Sequence, residues 1–375
     1  MSSSDIYETL GIRPIINAGG HMTILGGSVL SPEVREAMES ANTAYTLMDD
    51  VFDGAGKAIA DMLGTGGGLV TSGCYAALVQ GAAAILAGSD PERIQQLPDT
   101  TGMKDEFLIQ KPTRYRYDRS VTVPGGKLVE VGDEDSCTAQ QLRDAIGSQT
   151  AGILYFAAGE RFPNTVSLPD AIEIAHAAGI PILVDAAAEI YPLERMRRVA
   201  TSGADLVCFG GKYLGSGNST GILCGDGEYV SMARLNGFTG FETGNNSIGR
   251  GYKVDRQEVV GTTIALRYWL DADHEQRLQV QSDRIAQIAA GLAGVDGVNA
   301  DNMWQEDGEG PWMRLSVNWD EGDKGRTAAE VSEALQNGSP AIFCRSDPGN
   351  LHIAVHTLRE GETEVVLRRL QEELA

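Results

Sequence analysis

Asp205-Leu-Val-Cys-Phe-Gly-Gly-Lys212-Tyr-Leu-Gly-Ser-Gly-Asn-Ser-Thr-Gly-Ile-Leu-Cys-Gly225 is the stretch on which the reading of this chain turns. Its first apolar run predicts a short buried strand that ends at two glycines. Lys212 follows, then a loop of Gly, Ser, Asn and Thr, then a second apolar strand. A lysine held at a strand end among small residues can form a Schiff base with a carbonyl.

Twenty-seven residues earlier the chain reads Pro181-Ile-Leu-Val-Asp185-Ala-Ala187-Ala. This is a buried-type strand with one carboxylate at its end, followed by side chains, Ala187 among them, small enough to lie under a flat ring. A Schiff-base lysine with a strand-end aspartate for a pyridinium nitrogen is the arrangement that pyridoxal phosphate (PLP) requires. A third piece lies upstream, where the strand Gly68-Leu-Val-Thr71 runs into Ser72-Gly73-Cys74 and an Ala-rich helix to about Ala87. The backbone N–H groups there and the Ser72 hydroxyl can hold a phosphate at the positive end of the helix. Many strand–turn–helix joints carry Gly and Ser, so this piece alone is weak. The three together stand in the order found in PLP enzymes of the aspartate-aminotransferase fold.

The chain has 375 residues, enough for a large domain and a smaller one. With 52 acidic against 30 basic residues and a net charge of −22, its surface repels nucleic-acid phosphates and anionic membranes. No run of about 18 apolar residues occurs, so no membrane span is expected. The N-terminus has neither the basic region nor the apolar stretch of a signal peptide. The five cysteines, Cys74, Cys137, Cys208, Cys224 and Cys344, include no CxxC pair, which fits a reducing, cytoplasmic setting.

Ser31 and Pro32 predict the start of a helix to Asn42, and a second helix is expected from Val51 to Leu63. From Phe107 to Val199 strands and helices alternate, which predicts a mostly parallel sheet covered on both faces, with ligands at the carboxyl ends of its strands. One long helical stretch is expected from Gln257 to Ala293, followed by a smaller α+β region with strands at Met313–Asn318, Ala341–Arg345 and Leu351–Val355. The expected fold class is therefore α/β. The expected domains are an N-terminal segment over 1–45, packing on the small domain or a partner subunit, a PLP-binding large domain over 46–256, and a linking helix with a small C-terminal domain over 257–375.

Leu10-Gly-Ile-Arg-Pro-Ile-Ile-Asn-Ala-Gly-Gly20, Leu25-Gly-Gly-Ser28, Thr71-Ser-Gly-Cys-Tyr-Ala-Ala-Leu78, Val184-Asp-Ala-Ala-Ala-Glu189, Phe209-Gly-Gly-Lys212 and Gly249-Arg-Gly-Tyr-Lys-Val-Asp-Arg-Gln-Glu-Val-Val-Gly261 each resemble motifs of one family. That family is the selenium-transferase-like (SelA-like) group of fold-type I PLP enzymes, which includes L-seryl-tRNA(Sec) selenium transferase and D-glucosaminate-6-phosphate ammonia-lyase. The resemblance covers nearly the whole chain. It implies that Lys212 carries PLP, that Asp185 faces the ring nitrogen, and that Ser72, Gly73 and Cys74 hold the phosphate. It further implies a homodimer or larger homo-oligomer with shared sites, in which Gly261 and Thr262 of a partner complete the phosphate site. The selenium transferase carries an additional N-terminal tRNA-gripping domain. Here the core motifs begin within the first twenty residues, and the acidity also argues against tRNA. Near Thr113, relatives of the lyase type more often carry a histidine.

For the substrate carboxylate a bidentate arginine is expected, and Arg345 is preferred over Arg359 and Arg314. Arg114, Arg116 and Tyr117 are candidate contacts for an anionic substrate, and His356 is a further candidate. The spacing of His352 and His356 does not make a metal site, because on a strand they stand about 13 Å apart. The expected activity is a PLP-dependent lyase that removes a β-substituent and ammonia from a 2-amino-3-hydroxy acid, a sugar amino acid or phosphorylated analogue included. An aminotransferase, a racemase, a β-replacement enzyme and a non-catalytic PLP-fold scaffold remain alternatives, because the first three share every cofactor residue named here.

Overall fold

Strands Ile182–Asp185 and Leu206–Gly210 lie side by side and parallel, with Leu183 opposite Leu206, Val184 opposite Val207 and Asp185 opposite Cys208. Every residue of both strands is buried. Strands covered on both faces read as continuous apolar runs, which is why these two were legible without any alternation. The computed structural model describes residues 3–157, 162–303 and 312–375.

Around this pair a seven-stranded sheet forms. Its order is Gly67–Thr71, Gly221–Gly225, Leu206–Gly210, Ile182–Asp185, Thr150–Phe156, Glu106–Gln110 and Lys127–Val131. Only Gly221–Gly225 runs against its neighbours. The carboxyl ends of the other six strands therefore share one edge. Register lines up the functional stretches there. Thr71 is opposite Gly221, which is opposite Gly210, while Cys208 is opposite Asp185, which is opposite Phe156. The Ala-rich helix Cys74–Ala87 is buried along most of its length. A Cβ at its Gly81 would stand 2.9 Å from Leu183 Cδ1, so the missing side chain lets the helix lie close on the sheet. The mostly parallel sheet expected from the alternation is the one observed.

The chain divides into a unit of Ser28–Asp271 and a unit of Met1–Gly27 with Ala272–Ala375. The expected boundaries lay at 45/46 and 256/257; residues 28–45 and 257–271 instead group with the larger unit. The reason is packing. Helix Arg256–Asp271 buries Val259, Thr262, Ala265 and Leu266, and at Gly261 it runs so close to Met38 of helix Pro32–Asn42 that a Cβ would lie 2.6 Å from Met38 Cγ. The long helix expected over Gln257–Ala293 is two helices, Arg256–Asp271 and His274–Leu292. Asp273 separates them, its side chain accepting the Gln276 N–H at 2.9 Å as an N-cap.

The smaller unit holds an antiparallel sheet ordered Arg345–Asp347, Asn350–Ala354, Arg314–Trp319 and Val298–Asn302. A separate parallel pair joins Ile15–Asn17 to Ala341–Phe343. The strand expected over Ala341–Arg345 is thus split between two sheets. Ile285, Ile288, Leu315, Val317, Val331, Ile353 and Val366 fill its core.

Leu183 is fully buried between the sheet and the Cys74–Ala87 helix. Leu183→Ala should lower unfolding stability by about 2–5 kcal/mol. A urea titration followed by circular dichroism checks this, and an unchanged midpoint would contradict the packing described.

Candidate active site

The Asp185 carboxylate sits at the carboxyl edge of the sheet with 3% of the residue exposed. Its Oδ1 accepts the Ala187 N–H at 3.0 Å. The thiols of Cys74 and Cys208 stand 3.6 and 3.8 Å from the same oxygen, and 2.8 Å from one another. Its Oδ2 accepts the Tyr115 hydroxyl at 2.5 Å. Burial pushes the carboxyl pKa above its usual range, and the hydrogen bonds from Tyr115, Ala187, Cys74 and Cys208 offset only part of that rise. Ala187 serves twice, since its carbonyl also accepts the Gly210 N–H at 2.9 Å and ties the Asp185 strand end to the Lys212 strand end.

Lys212 lies in the 3-10 turn Gly211–Leu214 immediately after strand Leu206–Gly210, half-buried, with Nζ 5.0 Å from the Tyr213 ring centre. The glycines before it are required by space. A Cβ on Gly211 would fall 2.1 Å from Thr220 Oγ1, and one on Gly210 2.9 Å from the Tyr213 ring. The Lys212 carbonyl accepts the Ser28 hydroxyl. Gly215, at φ +82°, closes the turn.

Helix Cys74–Ala87 begins at Gly73 with φ +92° and no side-chain cap, so its first N–H groups are not satisfied by the capping side chain a helix usually has. A Cβ on Gly73 would meet nothing within 4 Å, whereas one on Gly221 would fall 2.6 Å from Cys74 N. The turn Ser72-Gly73-Cys74 therefore packs its back on the strand start at Gly221 and opens on the other side. This is the geometry of an anion site at a helix N-terminus.

Six residues come together by contact: Asp185, Ala187, Cys74, Cys208, Tyr115 and Phe156. Three of these, Tyr115, Cys208 and Phe156, were not singled out from the sequence. Cys208 was legible in hindsight, as the residue two before the strand-end glycines on the strand next to Asp185. Tyr115 had no local signal, being seventy residues from its partner. Cys74, Asp185 and Cys208 offer three possible metal-ligand atoms within 4.8 Å of one another. Burial pushes the Cys208 thiol up, and the hydrogen bond with Cys208 followed by burial pushes Cys74 up, so both remain protonated and act toward Asp185 as donors.

Other expected site residues make contacts of their own. Arg114 pairs with buried Asp118 and with Glu130, so its charge braces its own loop. Arg116 stacks 5.2 Å over the Tyr117 ring, and Tyr117 is 49% exposed. Thr113 is buried, with its hydroxyl donating to the Gln110 carbonyl at 2.9 Å. Gly261 and Thr262 lie inside helix Arg256–Asp271, where Thr262 is fully buried and its hydroxyl meets Ser216 Oγ at 2.8 Å.

Arg345 and His356 belong to the smaller unit. Arg345 is exposed, with Nε donating to the Gly19 carbonyl at 3.0 Å. The His356 ring packs against His21 at 4.9 Å and Trp312 at 5.1 Å between centres. Among the described residues neither of its nitrogens has a hydrogen-bond partner. Burial, then His21 and the charges of Arg314, Arg277 and Arg345, hold its pKa well below the usual histidine range, so it is a neutral imidazole at pH 7. His352 bonds Asp347 at 2.9 Å.

Residues 108–287 match the family model described as L-seryl-tRNA selenium transferase. The chain is 29% identical to D-glucosaminate-6-phosphate ammonia lyase of Salmonella typhimurium (strain 14028s / SGSC 2262), over 98% of this chain and 97% of that protein. It is also 29% identical to 5'-C-glycyluridine monooxygenase-decarboxylase of a Streptomyces species, over 98% of this chain and 91% of the other. A solved structure of D-glucosaminate-6-phosphate ammonia-lyase superposes with a TM-score of 0.86 at 28% identity, covering 100% of this chain and 99% of that one. These matches bear out the resemblance read from the motifs, the fold class and the expectation of an enzyme.

All five thiols are raised, Cys74 by its hydrogen bond with Cys208 and then by burial, the other four chiefly by burial, Cys137 and Cys344 each to about 11. Unfolded thiols ionise near about pH 8.5. Their contribution to stability is therefore complete below that pH and falls as pH climbs toward the folded values. Iodoacetamide at neutral pH should label the native chain far more slowly than the urea-unfolded chain, and the urea midpoint should decline above pH 8.5. Rapid native labelling at Cys74 or Cys208, read by peptide mass, would contradict the protonated thiols described.

Proposed function

Taking the chain as a relative of the selenium-transferase-like enzymes, we propose that it is a PLP-dependent lyase. It removes a β-substituent and ammonia from a 2-amino-3-hydroxy acid, of the sugar-acid or phosphorylated kind, and leaves a 2-keto acid. One observation carries the reading. A buried, donor-surrounded Asp185, a lysine just past the end of the adjacent parallel strand, and an uncapped helix start at Gly73 share one sheet edge. The similarity to an ammonia lyase along nearly the whole chain supports the lyase class.

The residues present fit the coenzyme. The open face of Gly73 and the helix N–H groups suit its phosphate, together with the Ser72 hydroxyl and Cys74 N–H. Asp185 suits its ring nitrogen, and Ala187 leaves room beneath the ring. When bound, PLP supplies a carbonyl that links to an amine and a ring that accepts electron density from the substrate Cα. Lys212 holds the coenzyme through its amine and, once displaced by the substrate amine, takes the Cα proton. Asp185 keeps the ring oriented and its nitrogen hydrogen-bonded.

Arg345, exposed at the start of its strand, is the proposed carboxylate anchor. A departing hydroxyl needs a proton. His356, neutral at pH 7, does not bring an imidazolium proton, which favours Tyr117 of the two candidates. The substrate is a small amino acid rather than tRNA, in keeping with the net charge of −22. A cytoplasmic homodimer is the proposed setting. Among the described residues no helix is long and apolar enough to cross a membrane.

Purified holoenzyme should release ammonia and a 2-keto acid from at least one member of a panel of D- and L-2-amino-3-hydroxy acids, with and without phosphate. Lys212→Ala should lower that rate by about 10²–10⁴-fold or more. Exchange of the Cα proton with deuterated solvent without ammonia release would move the assignment to racemisation or transamination.

A further inference from the structure

Tyr115 belongs to no motif read from the sequence, yet more of the local structure is spent on holding it than on any of the expected substrate contacts. Its hydroxyl donates to Asp185 Oδ2 at 2.5 Å. Its ring lies flat against Phe156, with centres 4.2 Å apart and planes inclined by 8°. Phe156 is itself the residue opposite Asp185 on the neighbouring strand. The Tyr115 backbone N–H donates to Asp118 Oδ2 at 3.1 Å. Asp118 is 3% exposed and paired with Arg114, which also pairs with Glu130 beyond the loop. The ion pairs of Arg114 thus fix the loop that carries Tyr115, and the stack on Phe156 fixes the ring.

The phenol is held as a donor. Burial first, then the Asp185 charge, push its pKa far above the usual tyrosine range, so its proton stays in place at any pH the fold survives. A carboxylate that already accepts the Tyr115 hydroxyl, the Ala187 N–H and contacts from two thiols has its negative charge spread over those donors. Each such donor stabilises the ionised form and lowers the affinity of the carboxylate for a further proton.

We propose that Tyr115 is a positioning residue that holds Asp185 ionised and aimed, and so keeps the proton that Asp185 shares with the ring nitrogen of the coenzyme on that nitrogen. The proposal rests on the coenzyme reading above. Its chemical consequence is a stronger electron sink than an aspartate without the phenol would sustain.

The test uses holoenzyme loaded with PLP labelled with ¹⁵N in the ring, read by NMR at fixed pH. The ring nitrogen of the unaltered protein should resonate at or close to the protonated position. Tyr115→Phe keeps the stack on Phe156 and removes only the donor. It should move the signal away from the protonated position by the equivalent of an about tenfold change in proton partition. Arg114→Ala, which loosens the loop without touching Asp185, should move it the same way and less far. An unaltered protein at the neutral position overturns the proposal. So does a signal that Tyr115→Phe leaves in place, which would make Tyr115 a packing residue. If the unaltered protein gives only the signal of free PLP, and borohydride leaves no adduct on Lys212, the coenzyme reading itself fails and the proposal falls with it.

Discussion

A carboxyl group with 3% of its residue exposed is costly unless donors surround it, and the larger unit of this protein is arranged to surround Asp185. The donors come from separate parts of the chain: Cys74 from a helix start, Tyr115 from a loop, Ala187 from the turn beyond the strand and Cys208 from the strand beside it. None of them can be moved without leaving a polar atom short of a partner inside the fold. The parallel register that sets Asp185 opposite Cys208 and Phe156 is what brings them within reach. A one-residue slip would turn the carboxylate to the opposite face of the sheet.

The second constraint is close approach. Gly211 stands against Thr220, Gly221 against the Gly73-Cys74 backbone and Gly81 against Leu183. At the first two, a methyl group would collide with neighbouring backbone or with a buried hydroxyl. These contacts draw the Lys212 turn, the antiparallel strand Gly221–Gly225 and the uncapped helix start together at one edge. The open face of Gly73, where a Cβ would meet nothing within 4 Å, contrasts with that crowding and lies at a helix start without a side-chain cap.

Much of this was legible because the signals are local. Lys212 and Asp185 each end an apolar run, and small residues follow each of them. Ser31, Thr138, Ser167 and Asp273 accept helix N–H groups within three residues of themselves, and the first of these caps was read correctly. The break at Asp273 was missed because the residues around it keep a helical pattern through the cap. The roles of Arg114, Gly261 and Thr262 depended on partners that proximity in sequence does not reveal. Arg114 is engaged by Glu130, Gly261 by Met38 and Thr262 by Ser216. Cationic or hydroxylated residue types look alike in sequence whether they face a ligand or a buried neighbour.

By itself the sequence determined the class of sheet, the strand ends at Asp185 and Lys212 and the helix start after Gly73, because strand periodicity, strand termination and helix initiation are settled by neighbours a few residues apart. Only the tertiary structure decided that Tyr115 and Cys208 share Asp185, that Phe156 backs Tyr115, and that Arg114 holds a loop. Those choices are made by sheet register and by which polar atoms are buried together. They join residues seventy or more positions apart in the case of Tyr115 and Asp185, where no local pattern records the pairing.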